Sequence, residues 1–255
     1  MRLQILGCSG GIGSGGRTTA MLLDDDILLD AGTGVCDLDV DVLQHVRHIF
    51  VTHSHLDHVL SIPLLMDSLF DRLDAPLTVH ALPATIEALS SHLFNWTIWP
   101  DFRELPKPGD GLLRYVPMEY GDVCTLGART VRMVPAEHAV PAAGFLVTDA
   151  SGSCFCYAGD SGPNNALWPV LNRQPRLDLL IVEAAFSDEH AELAGKAGHY
   201  VPATLVRDLV QLELDPQVAI THLKTGSDEQ IMSELRQHDP DRSFHRLQAG
   251  DVFAL

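Results

Sequence analysis

The chain has 255 residues, 46% of them hydrophobic, and a formal net charge of −17. So acidic a balance excludes a broad basic face for extended nucleic acid, and the lack of any apolar run of about 18 residues excludes a membrane-spanning helix. Five cysteines without a Cys-x-x-Cys pair exclude a disulfide framework and fit a reducing cytoplasm.

No linker, repeat or low-complexity segment interrupts the sequence, so one domain over residues 1–255 is expected. Met1-Arg2-Leu3-Gln4-Ile5 enters a strand pattern directly, without the charged-then-apolar order of a signal peptide. Residues 7–16 carry six glycines, and Gly11, Gly13 and Gly16 match G-x-G-x-x-G. A dinucleotide fingerprint needs a helix next. Residues 18–23 and 27–29 instead read as strands joined by Asp24-Asp25-Asp26, so the glycines are expected to let a loop pass close to a site and its ligand. The second of these strands ends in Asp30-Ala31-Gly32.

Next, the apolar run Ile49-Phe50-Val51 stops abruptly at Thr52-His53-Ser54-His55-Leu56-Asp57-His58. Four imidazole and carboxylate groups within six residues suit zinc, and also manganese or iron. Along an extended segment His53 and His55 face one way. Asp57 and His58 come where the chain turns, and reach a second point. The pattern therefore suggests two divalent cations. Left uncoordinated at the end of a buried strand, these groups would be costly.

Residues 59–73 read as a helix with Pro63 near its first turn, 77–81 as a strand, and 83–93 as a helix with Pro83 at its first position. Residues 92–102 are dense in aromatics for a chain only 6% aromatic. They suit a hydrophobic plug, an oligomer contact or a wall that stacks a flat group. Short strands follow in 112–134, with turns at Gly121-Asp122 and Leu126-Gly127. The strand 131–134 delivers His138, and a strand at 143–147 follows. The strand 153–158 leads to Gly159-Asp160, with a helix after Pro163. The strand 177–182 ends in Glu183. Gly198-His199 opens a helix running to about residue 212, whose positive end favours an anion. The strand 218–221 leads to His222-Leu223-Lys224, where Lys224 either neutralises a phosphate or meets solvent. Residues 227–255 read as a helix and a closing strand, with His238 and His245 on the surface.

The motif at 52–58 resembles the signature of the metallo-β-lactamase superfamily. Taken with Phe94-Asn95-Trp96-Thr97-Ile98-Trp99-Pro100, Gly198-His199 and Thr221-His222-Leu223-Lys224, it resembles the class II cyclic-nucleotide phosphodiesterases, although Ser61-Ile62-Pro63 stands where a Gly usually follows the motif. The resemblance implies an α/β fold, a four-layer αββα sandwich with two metals at one rim. It implies His53, His55 and His138 at one ion, Asp57, His58 and His222 at the other, Asp160 bridging, and Asp30 behind the ligands rather than among them. Zinc is the first expectation, then manganese or iron. A hydroxide held between the cations would convert 3′,5′-cyclic nucleotides to 5′-monophosphates, with Asp57, His199 and Glu183 as catalytic residues, His199 supplying a proton to the leaving alkoxide or stabilising that oxygen while Glu183 orients its ring, and with Asn95, Trp99 and Lys224 toward the small-molecule substrate. A homodimer is expected from the family and the aromatics. The alternatives are a tRNA 3′-processing nuclease, an arylsulfatase, a lactonase, a β-lactamase, and a metal-bound binding module without turnover.

Overall fold

The computed structural model describes residues 1–13 and 15–255. Strands β1 (Arg2–Gly7), β2 (Ala20–Leu23), β3 (Ile27–Ala31), β4 (His48–Phe50), β5 (Leu77–Ala81) and β6 (Leu113–Pro117) lie side by side in chain order in one sheet. A second sheet holds β7 (Val123–Leu126), β8 (Arg129–Ala136), β9 (Ala142–Asp149), β10 (Cys154–Tyr157), β11 (Leu179–Glu183), β12 (Gln217–Thr221) and β13 (Phe244–Arg246), again in chain order. The final strand β14 (Val252–Ala254) crosses back and pairs antiparallel with β1. The expected closing strand is thus two strands, one for each sheet, separated by a turn at Gly250 with φ 97°.

Side-chain alternation along these strands builds three cores in four layers. Ile27 and Leu29 of β3 point between the sheets, where they meet Phe145, Phe155, Tyr157 and Ile181. Leu28 points outward, against the helices α1 (Val40–Leu43), α2 (Leu56–Val59), α3 (Ser61–Ser68) and α4 (Pro83–Ala88). In β10 Phe155 and Tyr157 face inward while Cys154 and Cys156 face the other helical layer. That layer contains α5 (Trp168–Asn172), α6 (Ala191–Ala197), α7 (Pro202–Leu209) and α8 (Asp228–His238). The result is an αββα sandwich with both sheets buried between helices.

Of the two helices expected between β4 and β6, the first departs from its limits and the second keeps them. The one expected over 59–73 begins inside the ligand motif, because extended His55 caps it, and it is split at Leu60 into α2 and α3. The one expected over 83–93 continues beyond α4 as a wider turn of helix, Leu89–Leu93. Among the described residues, no helix is long and apolar enough to cross a membrane.

Candidate metal centre

Every group in the centre but His199 leaves the end of a strand or the first turns beyond it. His53 and His55 follow β4, and α2 carries Asp57 and His58. His138 follows β8, Asp160 follows β10, Glu183 is the last residue of β11, and His222 is the first after β12. His199 follows Gly198, the left-handed cap of α6 at φ 70°. Two non-glycine residues of the centre also adopt positive φ, Asp30 at 56° and His222 at 59°. For a side chain with a Cβ this conformation is strained, and both turns are tied down by neighbours. The His222 amide donates to Cys8 O at 2.8 Å, and the Gly10 amide to Leu223 O at 3.0 Å. A Cβ on Gly10 would stand 2.5 Å from His222 O. The glycine-rich loop does pass against the site, as expected.

Four groups of donor atoms, each within 4.8 Å, converge here: His53, His55 and His138; His53, His58 and Asp160; Asp57, His58 and His222; and His138, Asp160 and His199. Asp160 Oδ2 lies 3.4 Å from His58 Nε2, 3.3 Å from His222 Nε2 and 3.9 Å from His53 Nε2. Asp57 Oδ2 lies 3.8 Å from both His58 Nε2 and His222 Nε2. His138 Nε2 faces His55 Nδ1 at 3.2 Å. Two nitrogens each about 2.0–2.1 Å from one tetrahedral zinc stand about 3.3 Å apart, so these separations suit shared cations.

Hydrogen bonding leaves the inward atoms bare. His138 Nδ1 donates to Gly198 O at 2.9 Å and His58 Nδ1 to Asp30 Oδ2 at 2.7 Å. The ring protons are therefore on the outer nitrogens, and the Nε2 lone pairs point into the centre. Among the described residues, His53 Nε2 and His58 Nε2 are buried without a hydrogen-bond partner. Such orphaned atoms are rare unless something outside the chain satisfies them.

Burial pushes the pKa values of His53, His55 and His138 down and that of His222 down to about 4, whereas for His58 burial is outweighed by Asp160 and Asp30, which raise its pKa well above the ordinary value in the metal-free chain. The neutral ring is the form that ligates. Burial alone would raise Asp160, but His222 and His58 outweigh it and hold the carboxyl well below the usual range.

Beside this cluster, His199 Nδ1 donates to Glu183 Oε1 at 2.5 Å. Glu183 is fully buried and also accepts from Ser161 N at 3.0 Å and Ala185 N at 2.9 Å. Burial disfavours a charged His199, yet the bond it donates to Glu183 prevails and raises its pKa; burial raises Glu183 despite the pull of His199. The expected pair is therefore formed.

The structure brings His53, His55, Asp57, His58, His138, Asp160 and His222 together, with Asp30 behind them and His199 on Glu183 at the edge. It does not bring Asn95 or Trp99 into the cluster. Asn95 Oδ1 accepts from Thr97 N at 3.0 Å and Ile98 N at 2.8 Å, and Trp99 packs on the outer core. Trp96 and Ile98 are the exposed large apolar residues of that segment. Lys224 Nζ donates to Gly10 O at 2.9 Å and lies 5.7 Å from the centre of the Phe186 ring. Sequence reasoning passed over Thr52 and Tyr157, both of which bond Asp30. Thr52 adjoins the motif and gave that much signal; Tyr157 looks like any inward strand aromatic.

A family model described as "Beta-lactamase superfamily domain" matches residues 26–223. A 3′,5′-cyclic-nucleotide phosphodiesterase of Aliivibrio fischeri is 28% identical over 273 residues, covering 86% of this chain and 80% of that protein. A ribonuclease Z of Bradyrhizobium is 37% identical over 112 residues, covering 44% of this chain and 32% of that protein. The crystal structure of unliganded yeast PDE1 superposes with a TM-score of 0.85 at 19% identity, covering 100% of this chain and 99% of that one.

Proposed function

As the chain belongs to the β-lactamase superfamily domain family, we propose that it is a metal-dependent phosphodiesterase that hydrolyses 3′,5′-cyclic nucleotides to 5′-monophosphates. The observation that carries this reading is the cluster of imidazole nitrogens around Asp160, two of them buried and bare, with the Glu183–His199 pair at its edge. Membership of the family and the donor set agree on divalent cations. In our reading there are two: His53, His55 and His138 would hold one, Asp57, His58 and His222 the other, and Asp160 both. Zinc fits this nitrogen-rich set, and manganese and iron are the alternatives. When bound, the cations would supply Lewis-acid stabilisation of phosphoryl charge and lower the pKa of water.

The chain's own residues provide the rest. Asp160, with its pKa held low, stays a carboxylate at neutral pH. His199, with its pKa raised by Glu183, carries a proton at Nε2 for the leaving ester oxygen. Glu183 holds that ring through Nδ1 and ties it to the Asp160 loop through the Ser161 amide. Substrate contacts from Asn95, Trp99 and Lys224 belong to this proposal. Asn95 and Trp99 would shape the turn that presents Trp96 and Ile98 to a base, and Lys224 would set the rim beside Phe186.

A second reading, an RNA 3′-processing nuclease, is favoured by the local likeness to the Bradyrhizobium ribonuclease Z. The net charge of −17 weighs against it. The test offers zinc- or manganese-loaded protein 3′,5′-cAMP, 2′,3′-cAMP, bis(p-nitrophenyl) phosphate and a precursor tRNA, with Asp160→Ala as control. Conversion of 3′,5′-cAMP to 5′-AMP, lost in the variant, is expected. Cleavage confined to the tRNA would transfer the assignment to the nuclease. Cleavage of only the activated diester would discard the cyclic-nucleotide substrate.

A further inference from the structure

Thr52, Asp30, His53 and His58 are all fully buried. The Thr52 hydroxyl lies 2.9 Å from Asp30 Oδ2 and 3.1 Å from Oδ1 on one side, and 3.0 Å from His53 Nδ1 on the other. It stands farther from His58 Nδ1, at 3.4 Å. Asp30 is further occupied by the Thr52 amide at 2.8 Å, His58 Nδ1 at 2.7 Å and Tyr157 OH at 2.8 Å.

Proton counting fixes the directions. A carboxylate only accepts, and a hydroxyl has one proton to give. The Thr52 proton goes to Asp30, so the Thr52 oxygen is free to accept, and its neighbour His53 Nδ1 must be the donor. His53 then has its proton on Nδ1 and a bare Nε2, which has no protein partner. His58 reaches the same state by donating to Asp30 directly. One buried carboxylate thus sets the tautomer of two rings, one directly and one through a single hydroxyl.

The two rings share one donor group, with Asp160, but each also stands in a group that lacks the other. His53 stands with His55 and His138, whereas Asp57 and His222 stand with His58. We propose that Thr52 is a positioning residue, a one-hydroxyl relay that puts the first cation position, through His53, under the control of the Asp30 carboxylate that already orients His58 at the second. This inference rests on the two-cation reading above. Replacing the hydroxyl by a methyl group of the same shape leaves His53 Nδ1 facing an apolar surface. The ring can then move its proton to Nε2, which abolishes its lone pair toward the centre.

The experiment compares wild type with Thr52→Val and Thr52→Ser. On metal-free protein, ¹⁵N spectra of the histidine side chains, assigned with a His53→Gln sample, read the tautomer of His53. The expected result is Nδ1–H in wild type and in Thr52→Ser, and a mixture in Thr52→Val. Zinc titration against a chromophoric chelator reads the two affinities separately. Thr52→Val is expected to lose about 10- to 100-fold at one cation and little at the other, with Thr52→Ser restoring it. An Nδ1–H tautomer in Thr52→Val together with two unchanged affinities would overturn the relay, as would an equal loss at both cations. If wild type binds fewer than two zinc ions while its tautomers are as expected, the two-cation reading fails and the hydroxyl link to Asp30 stands by itself.

Discussion

Glu183→Gln tests the pair proposed to handle protons. The substitution keeps the shape of a fully buried side chain and removes its charge. Glu183 accepts three bonds, from His199 Nδ1 and Ser161 N at Oε1 and from Ala185 N at Oε2. An amide offers only one oxygen, so in either orientation one backbone N–H faces an NH₂ group, at a cost of about 1–3 kcal/mol in stability. The bond to His199 changes from charge-assisted to neutral. Hydrogen bonds to charged groups contribute about 1.5–3 kcal/mol, which corresponds to about 10- to 150-fold in rate if the protonated ring is the acid. The sign of the pH effect is fixed too. Glu183 raises the pKa of His199 against burial, so its removal lowers that pKa and moves the alkaline limb of kcat toward lower pH. The assay compares 3′,5′-cAMP with bis(p-nitrophenyl) phosphate, whose aryl leaving group departs as the anion. The loss should fall mainly on the cyclic nucleotide. An equal loss on both substrates, with an unmoved alkaline limb, would refute the assignment of His199 as acid.

Three further outcomes are expected. Burial depresses the pKa of His80 from 6.5 to about 4, and its ring stacks on Phe50 at 4.4 Å. The unfolded chain binds more protons between those values, so this part of the stability is complete above pH 6.5 and falls, by at most about 3 kcal/mol, as pH drops through the window. His80→Phe should lose less of its urea midpoint between pH 7.5 and pH 5 than wild type, and an identical loss would remove His80 from the account. Gly198→Ala puts a Cβ 2.8 Å from His138 Cα at a φ of 70° and should cost about 1–3 kcal/mol, seen as a Tm lowered by several degrees; an unchanged Tm contradicts it. Zinc at about 100 times its Kd should stabilise the fold by about 2.7 kcal/mol per site by mass action, reversibly with chelator, whereas a Tm indifferent to zinc would count against the metal reading.

How much was legible in the sequence depended on whether local pattern or distant packing decided each feature. The αββα layering was legible because strands such as Ile27–Ala31 are buried on both faces and read as apolar runs. The ligand motif was legible because an apolar strand ends directly in it. The later residues were harder: a lone His138 or His222 has no local signature, and only the resemblance pointed to them. Their convergence within 4.8 Å depends on the docking of two sheets. The helix Ala191–Ala197 was missed because Gly195 interrupts a short, polar stretch. The crossing of β14 to the first sheet was missed because three residues of strand pattern do not say which edge they join. Lys224 was read as facing phosphate or solvent, since nothing near it in sequence announces the carbonyl of Gly10.

The division of donors between the sheets also sets an order of events during synthesis. His53, His55, Asp57 and His58 all follow β4 of the first sheet, while His138, Asp160 and His222 follow strands of the second. A nascent chain therefore displays its four-donor motif long before His222 leaves the ribosome, and before β14 can close the edge of the first sheet. Any ion captured at that stage meets an open, incomplete shell and exchanges freely. On the two-cation reading, tight retention would begin only when the second sheet docks, so metal occupancy would mark a fully assembled molecule, and a chain truncated before His222 should scavenge metal without keeping it.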